Sequence, residues 1–143
     1  MKRIIKSALL GAAVNLGSSY FLFTIISVCY AAFLASHNVS LKDIYWTFYS
    51  NQYISFALVV GVMLDIFGGY TAAKFNNDRH VLAGMLSALP CLFIGLLNIL
   101  NPLPNHIPVW FVIMSWLVVI PAGMLGGFLA KRLHVVPVTQ GKG

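Results

Sequence analysis

One carboxyl stands alone in strongly apolar surroundings. Asp65 falls within the run from Tyr53 to Ala73, which holds no other acid or base. A charge at bilayer depth costs on the order of 2.5–3.5 kcal/mol on insertion scales, so an ionisable group there is a functional-site hypothesis by default. The chemistry open to a lone carboxyl is to hold a proton or a cation, or to bond across helices. With no Lys or Arg in any apolar run to neutralise it, Asp65 must keep its proton, face a water-filled cavity, or pair with a ligand or another chain.

Every fourth residue around Asp65 is small: Ala57, Gly61, Gly69 and Ala73. Such stripes let membrane helices approach closely. Similar rows recur as Ser7, Gly11, Asn15 and Ser19, as Ala83, Ser87, Cys91 and Gly95, and as Gly123 and Gly127 beside Ala122, Gly126 and Ala130. At 1.5 Å per residue, Asn15, Asp65 and Ser87 each lie roughly 10–12 Å in from the same face. The spacing predicts a polar intramembrane cluster of Asp65, Asn15 and Ser87, with helix packing at Gly61, Gly69, Gly123 and Gly127. Three roles for Asp65 stay open. It is a proton- or cation-coupling site oriented by Asn15 and Ser87, a protonated interhelical bond, or a polar contact for a partner subunit.

The elements that carry these residues follow from composition. Of 143 residues, 59% are hydrophobic and 8% charged, and the mean hydropathy is +0.87. Soluble domains carry roughly 25% charged residues. The three acids are all Asp, too few to coat a water-facing surface. A soluble enzyme, a disordered region and a disulfide scaffold are excluded, and Cys29 and Cys91 fall inside apolar runs, where free Cys acts as a small hydrophobe. A hydrocarbon core of about 30 Å needs roughly 20 apolar residues in helix. Four runs qualify: Ser7 to Ala35, Tyr53 to Ala73, Val81 to Leu100 and Pro108 to Ala130. They lack the period-two alternation of a membrane barrel. The predicted fold is all-α, a single four-helix membrane domain over residues 1–143.

Charge orients it. Of nine Lys and Arg, only Lys42 falls between the first and second runs. Lys2, Arg3, Lys6, Lys74, Arg79, Lys131, Arg132 and Lys142 share the other side, which the positive-inside rule makes cytoplasmic. Both termini are therefore expected inside, and compact loops point to a bacterial inner membrane. The net charge of +6 reads as topology and affinity for anionic lipid, with no nucleic-acid partner. The first run is about twice the length of a signal-peptide core, so it is expected to remain as a span.

Ser40 and Asp43 form an S-x-x-D helix start, and Leu41, Ile44, Tyr45, Phe48 and Tyr49 then repeat at helical spacing. A short external amphipathic helix is predicted over 41–49, with Tyr45, Trp46, Phe48 and Tyr49 as interfacial anchors. It either rests on the bilayer or serves as a lid or a docking helix for an external partner. Asn101 to Asn105 reads as a tight external turn, and Val135 to Gly143 as a disordered tail. Pro90 and Pro121 interrupt two spans and are hinge candidates, with Ser87 near enough to help satisfy a freed carbonyl.

Gly68-Gly69-Tyr70-Thr71-Ala72-Ala73-Lys74 and Gly126-Gly127-Phe128-Leu129-Ala130-Lys131-Arg132 both read G-G-aromatic-x-A-x-basic. Lys6 to Gly11 and Arg79 to Gly84 open helices with a common basic, Leu and Gly pattern. Two parallel hairpin repeats are expected, an arrangement known in transporters. The G-G-Y-T-A-A-K helix end resembles small uncharacterised bacterial four-helix membrane proteins, a likeness that covers the second and third helices and implies no chemistry. Ser7 to Asn15 is similar to the first helix of GtrA-like proteins, which are associated with moving polyprenol-linked sugars, but the later helices lack that family's pattern.

Catalysis needs a second group beside the first, and Asp65 has no buried acid or mid-span histidine to work with. His37 and His106 lie towards one side, His80 and His134 towards the other, without metal-ligand spacing. No enzyme, metal or cofactor is expected. The function expected is a non-enzymatic accessory or assembly subunit of a membrane complex, or a homo-oligomer. Its partners would be the bilayer and another membrane protein or a second copy, with any substrate unspecified. The alternative is a small proton- or cation-coupled transporter or channel using Asp65.

Overall fold

The computed structural model describes residues 2–76, 79–100 and 107–134. The Asn101 to Asn105 turn, His106 and the tail 135–143 lie outside the described residues. Five helices follow in order: α1 (Lys2–Ser36), α2 (Leu41–Thr47), α3 (Asn51–Lys74), α4 (His80–Leu100) and α5 (Val109–His134). No strand occurs among the described residues. All but α2 are long and apolar enough to cross a membrane.

Local signals set the helix ends. α1 stops in a Schellman motif, with Asn38 at φ 59°, Asn38 N–H donating to the Ala35 carbonyl and Val39 N–H to that of Leu34. Asparagine tolerates this left-handed conformation better than most side chains. Ser40 then caps α2, accepting from the Asp43 amide at 3.2 Å and donating to the Asp43 carboxyl at 2.7 Å. α2 ends at Thr47, two residues short of the expected 41–49 helix. Ser50 caps α3 by accepting from the Tyr53 amide.

The bundle is built inside out compared with a water-soluble protein. Its buried apolar residues are chiefly alanines, with Ala72, Ala73, Ala83 and Ala130 wholly buried, and its buried polar ones include Ser7, Asn15 and Ser87. Large side chains point away: Leu9, Phe21 and Val109 are 59%, 68% and 74% exposed. Lipid tails are as apolar as leucine, so nothing drives such side chains inward, and helices associate through small residues instead.

α3 packs against α1, α4 and α5, and α5 packs along α3 and α4. Contact is closest at the end where α1 and α4 begin and α3 and α5 finish. This basic end carries Arg3, Lys6, Lys74, Arg79, Lys131 and Arg132; the opposite, aromatic end carries α2. Near the basic end a methyl on Gly11 would stand 2.6 Å from the Gly68 carbonyl oxygen, and one on Gly127 equally close to that of His80. Gly84 meets Gly123 and Gly127 in the same way, and Gly69 meets Gly123. Gly61 differs from the expected packing role, since no atom lies within 4 Å of where its Cβ would be.

The register also departs from the one the matched G-G motifs require. Gly11 lies against Gly68 and Ala72, so the motif match would set Gly84 against Gly126 and Ala130. Gly84 instead meets Gly123 and Gly127, one helical turn away. Gly126 packs on the α3 backbone at Ile66 and Tyr70. The hairpins share a way of packing, but the motifs do not occupy equivalent places. α4 and α5 run unbroken through Pro90 and Pro121. Ser87 donates to the Gly84 carbonyl at 2.7 Å, and does not bond the Leu86 carbonyl that Pro90 cannot engage.

Gly84→Ala and Gly69→Ala drive a methyl into facing backbone, and overpacking of this kind costs about 1–3 kcal/mol. Both are expected to lower the thermal unfolding midpoint in detergent. Gly17→Ala, where no neighbour lies within 4 Å, is expected to leave it unchanged or raise it.

Candidate functional site

Asp65 sits where the glycine-packed half of the bundle ends. The Asn15 side-chain amide of α1 donates to Asp65 Oδ1 at 2.6 Å and also contacts Cys91 Sγ of α4 at 3.3 Å. Ser19, one turn further along α1, donates to Asn15 Oδ1 at 3.3 Å. The amide is thus held from both ends, and Gly68 allows the approach, since a methyl there would stand 2.7 Å from Asn15 Cβ. Ser87 is buried, but its hydroxyl is committed to its own helix. The polar group is therefore Ser19, Asn15, Asp65 and Cys91, with Cys91 holding the place on α4 expected for Ser87. Both Ser19 and Cys91 lie on the small-residue stripes; the helix register needed to choose between Ser87 and Cys91 does not.

From Asp65 a cavity of about 400 Å³ runs towards the aromatic end as far as Phe111, in the first turn of α5. Phe23, Leu58, Leu92 and Trp116 contribute its apolar wall, and Ser115 adds one hydroxyl. Two glycines make the space. Gly61 leaves its place open, and a methyl on Gly95 would stand 3.2 Å from the Trp116 indole nitrogen. Periodicity did not reveal these aromatic linings, because lipid-facing aromatics share the same spacing. The i, i+4, i+8 row Phe111, Ser115 and Val119 was the available signal. Pro90 adjoins Cys91 on the cavity wall, and Pro121 lies between Val119 of that wall and Gly123 of the packed half. Both prolines therefore mark the boundary between the two halves.

The aromatic end is tied together by rings. Phe48 packs edge-on to Tyr53 at 4.9 Å and to Tyr30 at 6.0 Å, and Tyr53 bonds Ser27 through its hydroxyl at 3.0 Å. Phe48 thus joins α1 to α3 rather than projecting as an anchor with the other three. Tyr45, Trp46 and Tyr49 form a separate surface cluster, with Tyr45 and Tyr49 centroids 5.0 Å apart. The hydrogen bond with Tyr45 pushes the Tyr49 phenol above its ordinary value.

Among the described residues, no three His, Cys, Asp or Glu side chains gather as metal ligands would. His80 contacts the Ala73 carbonyl at 2.9 Å and His37 that of Phe33. The chain matches no protein-family profile, no curated protein and no solved structure.

Asn15→Ala removes the donor to Asp65 and is expected to cost about 1–3 kcal/mol as an unsatisfied polar group. Asp65→Asn keeps a carbonyl acceptor and should stay within about 0.6 kcal/mol of wild type, the average for such contacts. Unfolding in mild detergent checks this ordering, and equal losses would contradict it.

Proposed function

We propose that this chain is a multi-pass protein of a bacterial inner membrane that binds a small solute in its cavity and couples to protons or cations through Asp65. The observation that carries the reading is the cavity ending on one carboxyl held by one amide. The cavity's volume falls among small-molecule sites at roughly 300–1,000 Å³, and the carboxyl sets it apart from the apolar groove of similar size between α1 and α4. The solute would not be transformed, since among the described residues the cavity supplies no second acid, base or nucleophile pair to work on it. The proposal is thus carriage or conduction, not catalysis.

The orientation rests on charge. The basic end faces the cytoplasm by the positive-inside rule, which places both termini inside and the cavity on the outer side. The glycine-packed half is then the inner closure. Pro90 and Pro121, at the boundary, are where that half would swing open, because each lacks one backbone hydrogen bond.

A second reading, an accessory subunit or homo-oligomer, is favoured by the outer half of α1. There Ser19, Thr24 and Ser27 border a surface groove with Tyr20 and Phe23, a face suited to another helix. The two readings part at Asp65→Asn. The amide still bonds across helices and should spare a subunit, while a carrier that exchanges a proton loses its coupling.

Extraction into native nanodiscs with mass spectrometry is expected to return this chain without a stoichiometric foreign protein. A partner in equal amount would favour the second reading. A fluorescent protein fused after Gly143 is expected to fluoresce, as it does when left in the cytoplasm, and a dark fusion of full length would overturn the orientation.

A further inference from the structure

The geometry points to a hydrophobic organic monocation as the cavity's ligand, with Asp65 as its counter-charge; this inference rests on the solute-binding reading above. Four observations converge on that class. Among the described residues, Asp65 is the one acid lining the cavity and no Lys, Arg or His lines it, so a single positive charge is the charge it can balance. Asp65 Oδ1 is occupied by Asn15, while Oδ2 has no hydrogen bond among those of the described residues. Among the described residues no fully buried side-chain oxygen or nitrogen lacks a partner, so Oδ2 is not fully buried, and Asp65 lines the cavity.

The rest of the wall decides between an inorganic and an organic cation. Hard metal ions take about six or more oxygen ligands, and here Asp65 and Ser115 supply the side-chain oxygens. The ligand must therefore bring apolar surface in place of a hydration shell. Phe23, Phe111 and Trp116 offer ring surface, and aromatic faces attract cations most when water is excluded. The space itself comes from Gly61 and Gly95, so the cavity's shape depends on two side chains that are missing.

Cys91 supplies a reporter within the wall. The chain has two cysteines, and the other, Cys29, is exposed, so Cys29→Ser leaves one thiol to follow. In nanodiscs, a small neutral methanethiosulfonate should modify Cys91. Tetraphenylphosphonium should slow that modification by about tenfold, the change expected of a site roughly nine-tenths filled. Tetraphenylborate, with the same four rings and the opposite charge, should not. Gly61→Leu has open space to enter, so it should keep the wild-type elution profile while shielding Cys91 and removing the phosphonium effect.

Equal protection by the two ions would overturn the cationic class and leave the solute-binding cavity standing. Phosphonium protection that persists undiminished in Asp65→Asn would overturn Asp65 as the counter-charge. Methanethiosulfonates react with the thiolate, so the comparison is made at alkaline pH; a Cys91 that then resists modification equally in the Cys29→Ser protein and with Gly61→Leu added would overturn the open cavity, and the proposed function with it.

Discussion

Close approach of backbone to backbone is the constraint on which the bundle depends. In lipid the usual drive to bury large apolar side chains is absent, and helix association relies on van der Waals packing and a few polar bonds. The chain meets this condition at its basic end, where Gly11, Gly68, Gly84, Gly123 and Gly127 bring carbonyls within reach of facing helices. Alanines and serines fill what remains of that interior. The same choice sends leucine, phenylalanine and valine outward, where they match the solvent they meet.

The cavity is the counterpart of that tight half. Past Asp65 the facing residues include Phe23, Phe111 and Trp116, which hold the helices apart where Gly61 and Gly95 leave space unfilled. A closed half and an open half therefore meet at one level, and Asn15, Asp65 and Cys91 lie at it. A carboxyl in this position has a fixed donor on one side and free space on the other, a distinction that interhelical bonding alone would not require. The rings of Tyr30, Phe48 and Tyr53 tie the far end of α1 to the start of α3, so the open half is braced rather than frayed.

Among the expectations that changed, two have reasons in local bonding and in packing demand. Ser87 has the right depth for the polar cluster, but a serine in a helix readily bonds the carbonyl three or four residues back, and here it does so. Cys91, one turn on, takes the place instead. The G-G motifs looked like matching points of two hairpins, yet each glycine pair serves a different set of neighbours. Glycine recurs because α3 and α5 each lie between two close helices, a demand that any inner helix makes.

Composition and run length alone determined a chain of four long apolar helices, because 8% charge leaves no means of covering a water-facing surface. Local chemistry also determined the Ser40 cap and the small-residue faces. Tertiary structure alone decided the register and therefore the cavity. Sliding one helix past another by a turn leaves every periodicity unchanged, so no pattern in the sequence distinguishes Gly123 from Gly126 as the partner of Gly84. The empty space beside Asp65 is the sum of such choices over four helices, and no single segment encodes it.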